Sequence, residues 1–200
     1  EYDDQIAEIR GAVDFALPER RADTVVNRAL AWMTAQDQKK FFAWVHVFDP
    51  HAPYAAPEQW AAQYPAQPYQ AEVAWTDFAL GPLFDRLSSL SRKTLVIVTA
   101  DHGEGLGDHG EMTHGLFAYE STLKVPLIVA EIAPKATSLP RGRTVTTPVR
   151  HIDLVPTILD TLAVPAAATL PGCSLRTAIQ VGRRPDRHRK RPRVHARHIP

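Results

Sequence analysis

The segment 94–130 constrains this 200-residue sequence more than any other. An apolar, mostly β-branched run at 95–98 predicts a buried strand. Asp101 and His102 follow almost at once, and a carboxylate beside an imidazole is a pair of ligand types that suits a divalent metal ion. The carboxyl end of a buried strand is also where open α/β sheets bind ligands. A loop rich in Gly and His then leads to a second apolar run at 125–130, and so long a loop inside a compact domain is usually functional.

The spacing of apolar residues elsewhere predicts alternating helices and strands. We expect helices at 22–36, 71–90 and 153–163, and strands at 41–48, 94–99 and 125–130. Asp153 is expected to cap the last helix. On the second helix, Gly81-Pro82 predicts a kink, and Glu72 and Asp77 are expected on a solvated face. The inward-facing residues of that helix are expected to be Val73, Ala74, Phe78, Leu83, Phe84 and Leu87.

This alternation predicts an α/β fold with a mostly parallel central sheet and helices on both of its faces. The length suits one domain or part of one. No apolar run approaches the length of a membrane span, so we expect no transmembrane segment in this chain. The single cysteine, Cys173, excludes an internal disulfide framework and a zinc site built from cysteines.

The chain divides by charge into residues 1–173 and a tail, 174–200. The tail has nine Lys or Arg residues and one acid, whereas the rest of the chain is acidic overall. It has three prolines and no apolar period, which predicts disorder. Such a tail can bind nucleic acid or an anionic surface, but it is more often simply solvated, and we expect no nucleic-acid partner.

Three blocks of sequence, in order, resemble the sulfatase branch of the alkaline phosphatase superfamily. The first is the His-Val-Phe-Asp-Pro-His-Ala-Pro-Tyr run at 46–54. The second is Ala-Asp-His-Gly-Glu at 100–104, continued by Asp108-His109-Gly110, His114-Gly115, Tyr119-Glu120 and Lys-Val-Pro-Leu at 124–127. The third, at 149–159, is looser and is followed by Leu170-Pro171-Gly172. The resemblance covers residues 20–175 and implies the α/β catalytic fold of that family, with 1–173 as part of the catalytic domain.

The resemblance implies that Asp101 and His102 are metal ligands. Many similar sulfatases carry Asn at the second position and bind calcium. His102 departs from that pattern, and because imidazole prefers softer ions we expect Mn, Ca or Zn, with Mn favoured. An Asp-His pair is more typical of relatives that act on phosphonates, phosphodiesters or phosphoglycerol. The alternative is that Asp101 caps backbone amides at the strand end beside a surface histidine.

The same resemblance gives His51 and His114 catalytic and substrate-binding roles at the tetrahedral anion. A histidine can donate to the anion and can also protonate a leaving group near neutral pH. The alternative is that both are structural residues of their loops. Glu104 and Lys124 are expected to fix the second block, and His151 and Asp153 to hold the last part of the chain. If the four site residues serve one metal and one small anion, they should converge within roughly 10 Å.

The family's nucleophile motif, Cys-x-Pro-x-Arg or a Thr/Ser element, is not found, and neither are its N-terminal acidic ligands. We therefore expect a C-terminal part of the catalytic domain, inactive when isolated. The expected function is metal-dependent hydrolysis of a small-molecule or glycan sulfate ester. One alternative is a phosphodiesterase or phosphoglycerol-transferase-like enzyme acting on a phosphate ester with the same fold. Another is a non-catalytic relic that binds a metal or an anion. The sequence does not indicate a compartment.

Overall fold

A computed structural model describes residues 20–36, 39–135, 137–167 and 169–181. The chain divides into two compact units. The first unit contains the residues up to Leu90 together with Glu104–Tyr119, and the second contains Ser91–Gly103 and the residues from Glu120 onward. No helix in the described residues is long and apolar enough to cross a membrane.

The first unit is built around two helices. Helix α1 spans Ala22–Gln36, as the sequence predicts, and helix α3 spans Pro68–Ser88, with the short helix α2 at Glu58–Ala61 between them. Helix α3 begins three residues earlier than predicted because Pro68 occupies its first turn, where a missing N–H costs nothing. Pro82 lies inside α3, and the kink expected at Gly81-Pro82 stays a prediction.

The buried stripe of α3 differs from the predicted one. The buried apolar residues recur at every fourth position: Ala71, Trp75, Ala79, Leu83 and Leu87. Trp75 and Ala79 form a core with Ala22 of α1. Leu83 and Leu87 were predicted to be buried and are, whereas Val73 and Phe78 are exposed. The expectation that Glu72 is solvated is wrong, since Glu72 is 4% exposed; Asp77 is exposed as predicted.

The predicted strand at 41–48 is not formed. The segment is described throughout and has no strand assignment. No described segment pairs with it, and a strand needs the ladder hydrogen bonds of a partner. Phe42 and Trp44, in this segment, are 72% and 80% exposed.

The second unit contains the described sheet. Strand β1 spans Thr94–Thr99, within the predicted bounds, but its residues are half-buried or exposed rather than buried as expected. Strand β2 spans Leu127–Ile132. The second strand starts two residues later than predicted because Pro126 has no N–H to give to the ladder. The strands pair antiparallel, with Thr94 opposite Ile132 and Thr99 opposite Leu127. The mostly parallel pairing expected from the sequence is therefore not the pairing of the described strands.

Short helices complete the second unit: α4 at Glu120–Leu123, α5 at Leu154–Thr161 and α6 at Arg176–Val181. A 3₁₀ turn at His151–Asp153 precedes α5. Helix α6 lies inside the segment predicted to be disordered, and its Ala178 is buried. Residues 182–200, the rest of that predicted tail, lie outside the described residues.

Asp153 does not cap α5 with its side chain. Its buried carboxylate instead accepts the N–H groups of Arg150, at 3.0 Å, and Cys173, at 2.9 Å. His151 lies 3.3 Å from the Thr99 hydroxyl at the end of β1. Because the Thr99 hydroxyl donates its one hydrogen to the Pro126 carbonyl, the ring must donate from Nε2. Asp153 and His151 thus hold the segments around α5 together, in agreement with their predicted holding role.

Candidate active site

Two carboxylates, one in the loop that carries His51 and one on helix α3, hold this loop in place. Asp49, within the loop, accepts the N–H of Ala22 at the start of α1 at 2.6 Å. Burial raises the pKa of Asp49, although the hydrogen bond from Ala22 opposes that rise. Glu72 of α3 accepts the N–H of His51 at 2.9 Å and that of Ala55 at 3.0 Å. The backbone on either side of His51 is therefore tied to the helical core of the first unit.

The ring of His51 is also fixed. Its Nδ1 lies 2.6 Å from the carbonyl oxygen of Ala52, and its ring packs on Phe48 with 4.2 Å between centroids. A carbonyl oxygen only accepts, so Nδ1 carries the hydrogen. The lone pair of the neutral ring, or the second N–H of the charged ring, is consequently on Nε2.

His114 is fixed in the same tautomer by a buried carboxylate. Its Nδ1 lies 3.2 Å from Glu104 Oε1, and the Glu104 side chain is only 6% exposed. Glu104 Oε2 also accepts the hydroxyl of Tyr54 at 2.9 Å, and Oε1 accepts the N–H of Gly105. Burial and then the bond to Glu104 raise the pKa of Tyr54, so its phenol stays protonated and donates. Glu104 therefore fixes its own loop, as predicted, and orients His114 as well.

His51 and His114 lie together in the first unit. Their ring centroids are 5.2 Å apart and the rings meet edge to face, with an interplanar angle of 72°. In both rings Nδ1 is committed to a protein oxygen, which makes Nε2 the atom with which each ring can donate or accept a proton. Two such imidazoles can contact neighbouring oxygens of one tetrahedral anion.

The loop 104–119 turns tightly at Gly105. The N–H of Gly105 donates to the carbonyl of Thr113 at 2.7 Å. A Cβ at this position would lie 2.4 Å from the carbonyl oxygen of Glu111 and 2.5 Å from that of Thr113, so no larger residue fits. His109, which the sequence suggests is structural, stacks on Tyr119 at 4.3 Å. This loop thus presents His114 on a backbone that only glycine permits.

Asp101 and His102 lie together in the second unit, just past the end of β1. His102 Nε2 is 3.7 Å from Asp101 Oδ2. His102 Nδ1 lies 2.9 Å from the carbonyl oxygen of Gly103, so the Nε2 lone pair of the neutral ring is on the side of the carboxylate. Histidines that bind metals characteristically donate their other ring N–H to a carbonyl or carboxylate. One carboxylate oxygen and one imidazole nitrogen at this separation therefore fit two positions of a metal's coordination shell.

These two residues do not by themselves make a complete metal site. Across residues 20–36, 39–135, 137–167 and 169–181, no group of three or more His, Cys, Asp or Glu side chains is arranged to hold a metal ion. Because Asp101 and His102 belong to one unit and His51 and His114 to the other, the convergence of all four stays a prediction.

Glu72 and Tyr54 are the site residues that sequence analysis missed. Helical spacing placed Glu72 on a solvated face, and nothing in the sequence showed that the loop 51–55 folds back over it. A signal was available at Tyr54, which closes the His-x-Pro block, but its partner Glu104 is 50 residues away. Both residues hold the two histidines in place.

The sulfatase family model matches residues 7–164. Among curated relatives, the uncharacterized sulfatase YidJ of Escherichia coli K12 is 35% identical over 101 residues, covering 49% of this chain and 19% of that protein. Human arylsulfatase K is 35% identical over 109 residues, covering 54% and 19%. The N-acetylglucosamine-6-O-sulfatase of Bacteroides thetaiotaomicron is 30% identical over 139 residues, covering 68% and 24%. The chain thus matches about a fifth to a quarter of the length of these relatives.

Solved structures share the fold. The phosphonate monoester hydrolase SpPMH of Silicibacter pomeroyi superposes with a TM-score of 0.66 at 23% identity, covering 94% of this chain and 49% of that one. A sulfatase candidate from Bacteroides thetaiotaomicron superposes with a TM-score of 0.61 at 18% identity, covering 86% and 49%. These likenesses confirm the predicted α/β class. The match over most of the sequence, together with this fold, shows that the chain belongs to the sulfatase family.

Proposed function

We propose that the full-length protein carrying this chain is a metal-dependent hydrolase that cleaves sulfate esters. The observation that carries the proposal is the pair of imidazoles of His51 and His114, 5.2 Å apart, each with Nδ1 held by a protein oxygen. Membership of the sulfatase family supports sulfate as the transferred group. The name of the N-acetylglucosamine-6-O-sulfatase relative favours a sulfated sugar or a similar small ester.

In this reaction the two histidines would have different roles, one as a hydrogen-bond donor to the sulfuryl group and the other as a general acid. The net change is cleavage of the S–O ester bond by water, which yields an alcohol and sulfate and releases a proton. A protonated ring donates from Nε2 to an oxygen of the sulfuryl group, which stabilises charge that builds up in the transition state. A second protonated ring can deliver its Nε2 proton to the leaving oxygen. Glu104 orients the His114 ring for this role by accepting its Nδ1–H.

Asp101 and His102 are the residues of this chain that would hold the metal. A bound divalent ion would supply positive charge and Lewis acidity beside the sulfuryl oxygens or the nucleophile. The Nε2–Oδ2 separation of 3.7 Å and the Nδ1 bond to Gly103 support this role. A nitrogen ligand at His102 favours Mn²⁺ over Ca²⁺.

A second candidate function is hydrolysis of a phosphorus ester on the same fold. The fold of the phosphonate monoester hydrolase SpPMH is compatible with it. Sulfate monoesters and phosphate diesters both present a singly charged tetrahedral centre, so one site can accept either.

The test is hydrolysis by the purified full-length protein, stripped with EDTA and reloaded with Mn²⁺, Ca²⁺ or Zn²⁺. The substrates are 4-nitrophenyl sulfate, N-acetylglucosamine 6-sulfate and bis(4-nitrophenyl) phosphate. We expect sulfate-ester turnover that depends on metal and falls at least about 100-fold in His114→Ala or Asp101→Ala. The matched control is His109→Asn, a histidine of the same loop that stacks on Tyr119 and should lose little activity. Faster turnover of the phosphate diester would favour the second function, and no turnover of any ester would favour a relic.

A further inference from the structure

We infer that Glu72 is a positioning residue that sets the place of His51 at the transferring anion. The inference rests on the proposed role of His51. Glu72 lies on α3, one helical turn before Thr76, whose hydroxyl donates back to the Glu72 carbonyl. The residue is 4% exposed, so its carboxylate is almost wholly removed from water.

The carboxylate of Glu72 binds the backbone of the histidine loop at two points. Oε2 accepts the N–H of His51 at 2.9 Å, and Oε1 accepts the N–H of Ala55 at 3.0 Å. Charged acceptors make stronger hydrogen bonds than neutral ones, and burial strengthens them further. The two oxygens therefore fix both ends of the 51–55 turn with one rigid, planar group.

We call the Glu72 carboxylate with its bonds to the N–H groups of His51 and Ala55 the Glu72 clamp. Unlike a contact that only holds a loop, it bonds to the backbone of a proposed catalytic residue. One of its two bonds is to the backbone amide of His51 itself, so displacement of the carboxylate displaces the Cα that carries the imidazole. The ring is already held against Phe48 and by the Ala52 carbonyl, which belongs to the same turn. Moving the turn would move ring and backbone as one body. A displacement of about 1 Å at a reacting group can cost on the order of 100-fold in rate.

The experiment is a double-mutant cycle in the full-length protein, with 4-nitrophenyl sulfate and bis(4-nitrophenyl) phosphate as substrates. Glu72→Gln keeps the volume and one acceptor but places an NH₂ group against a backbone N–H. We expect it to lower kcat/KM by about 10- to 100-fold in the wild-type background. In the His51→Ala background the same change should have an effect of less than about twofold, because the group it positions is gone. Equal effects in both backgrounds would overturn the inference and leave Glu72 as a general anchor of the fold.

Two further variants control for folding and charge. Glu72→Asp restores both acceptor oxygens on a shorter side chain and should recover part of the lost kcat/KM. Asp77→Asn removes one negative charge from the exposed face of the same helix and should leave kcat/KM unchanged. Thermal unfolding identifies any variant that does not fold, and Glu72→Asp then replaces Glu72→Gln in the cycle. Loss of activity in Asp77→Asn equal to that in Glu72→Gln would contradict a role specific to the clamp.

A second readout separates this inference from the proposed function. Histidine-selective ¹³C labelling, with assignment by His51→Ala, follows the His51 Cε1–H signal during titration with inorganic sulfate. We expect the sulfate-induced shift in the wild type and in Asp77→Asn, and its reduction by at least about fivefold in Glu72→Gln. This result would support the inference even in a protein that hydrolyses no ester. A His51 signal that does not respond to sulfate in the wild type, or responds equally in Glu72→Gln, would overturn it.

Discussion

The orientation of two histidine rings in the first unit is set by the oxygen atoms that accept their Nδ1–H groups. Both rings give that proton to an oxygen acceptor: the Ala52 carbonyl for His51 and the Glu104 carboxylate for His114. The two acceptors differ in charge, since the carboxylate is anionic and the carbonyl is neutral. Each acceptor fixes the orientation of the ring that donates to it.

We predict that Glu104→Gln lowers kcat/KM of the full-length protein by about 10- to 100-fold, because the amide retains the shape of the carboxylate but not its charge. The matched variant is Tyr54→Phe. It removes the other side-chain donor to Glu104 and leaves the bond to His114 in place, so it should cost no more than about fivefold. Steady-state kinetics with 4-nitrophenyl sulfate compare the two. Equal losses in both variants would show that the network acts only as a whole and that the charge on Glu104 has no special role.

Two segments of the chain are held in place by contacts that the spacing of residues in the sequence does not predict. The loop between β1 and β2 closes on itself at Gly105, and the segment after β2 is held by Glu131. Glu131 is a residue of β2 that lies opposite Leu95 of β1. The Glu131 side chain is 1% exposed. It accepts both the N–H and the hydroxyl of Ser138, at 2.5 and 2.6 Å.

Gly105→Ala should destabilise the protein by about 1–3 kcal/mol, because the added Cβ would overlap the carbonyl oxygens of Glu111 and Thr113. It should also reduce activity through the displacement of His114. Gly81→Ala on α3 is the control, since nothing lies within 4 Å of its added Cβ. Alanine favours a helix more than glycine does, but a proline disfavours helical backbone angles in the residue that precedes it. The two effects oppose each other, so the free energy of unfolding should change by no more than about 0.5 kcal/mol. Urea denaturation measures both, and a Gly105→Ala protein as stable as Gly81→Ala would contradict the described turn.

Glu131 should make stability depend on pH. Burial alone raises its pKa, but hydrogen bonds from Ser138 and Leu139 and the charge of Lys93 together lower the pKa below its ordinary value of 4.5. A lowered pKa means that the stabilisation is present above 4.5 and is lost as the pH falls through the folded-state value. Glu131→Gln should therefore cost about 1–3 kcal/mol at pH 7 and progressively less below pH 4.5.

Denaturation of wild type and Glu131→Gln at pH 7 and pH 3.5 measures this difference, with the exposed Glu58→Gln as the control. Amide hydrogen exchange at Ser138 and Leu139 gives a local check, since both N–H groups donate to Glu131. A penalty that is the same at both pH values would mean that the ionised carboxylate does not hold this segment.

For the molecule as a whole, the sequence predicted the class of fold and the family better than it predicted local contacts. Helix α1 and strand β1 match their predicted bounds because the spacing of their apolar residues is regular. The segment 41–48 has the composition of a strand, but strand formation needs a partner, which no local pattern supplies. Glu72 was misplaced for a related reason: whether a helical carboxylate is solvated depends on a loop that folds over it, not on its helical position.

The roles of the four site residues follow from the resemblance to the family and stay predictions. The described geometry brings them together in two pairs, His51 with His114 and Asp101 with His102. What the sequence did not indicate is that Glu72 holds the backbone of His51 and that Tyr54 bonds to Glu104, because each of these contacts joins residues far apart in the sequence.

A crystal structure of the full-length protein with Mn²⁺ and inorganic sulfate, recorded with anomalous data at the manganese edge, would test the proposed site. We expect one manganese peak about 2.0–2.3 Å from both Asp101 Oδ2 and His102 Nε2. We also expect a sulfate ion whose oxygens lie within about 3.2 Å of Nε2 of His51 and of His114. A manganese ion bound away from Asp101 and His102, or a sulfate that touches neither histidine, would contradict the proposed site.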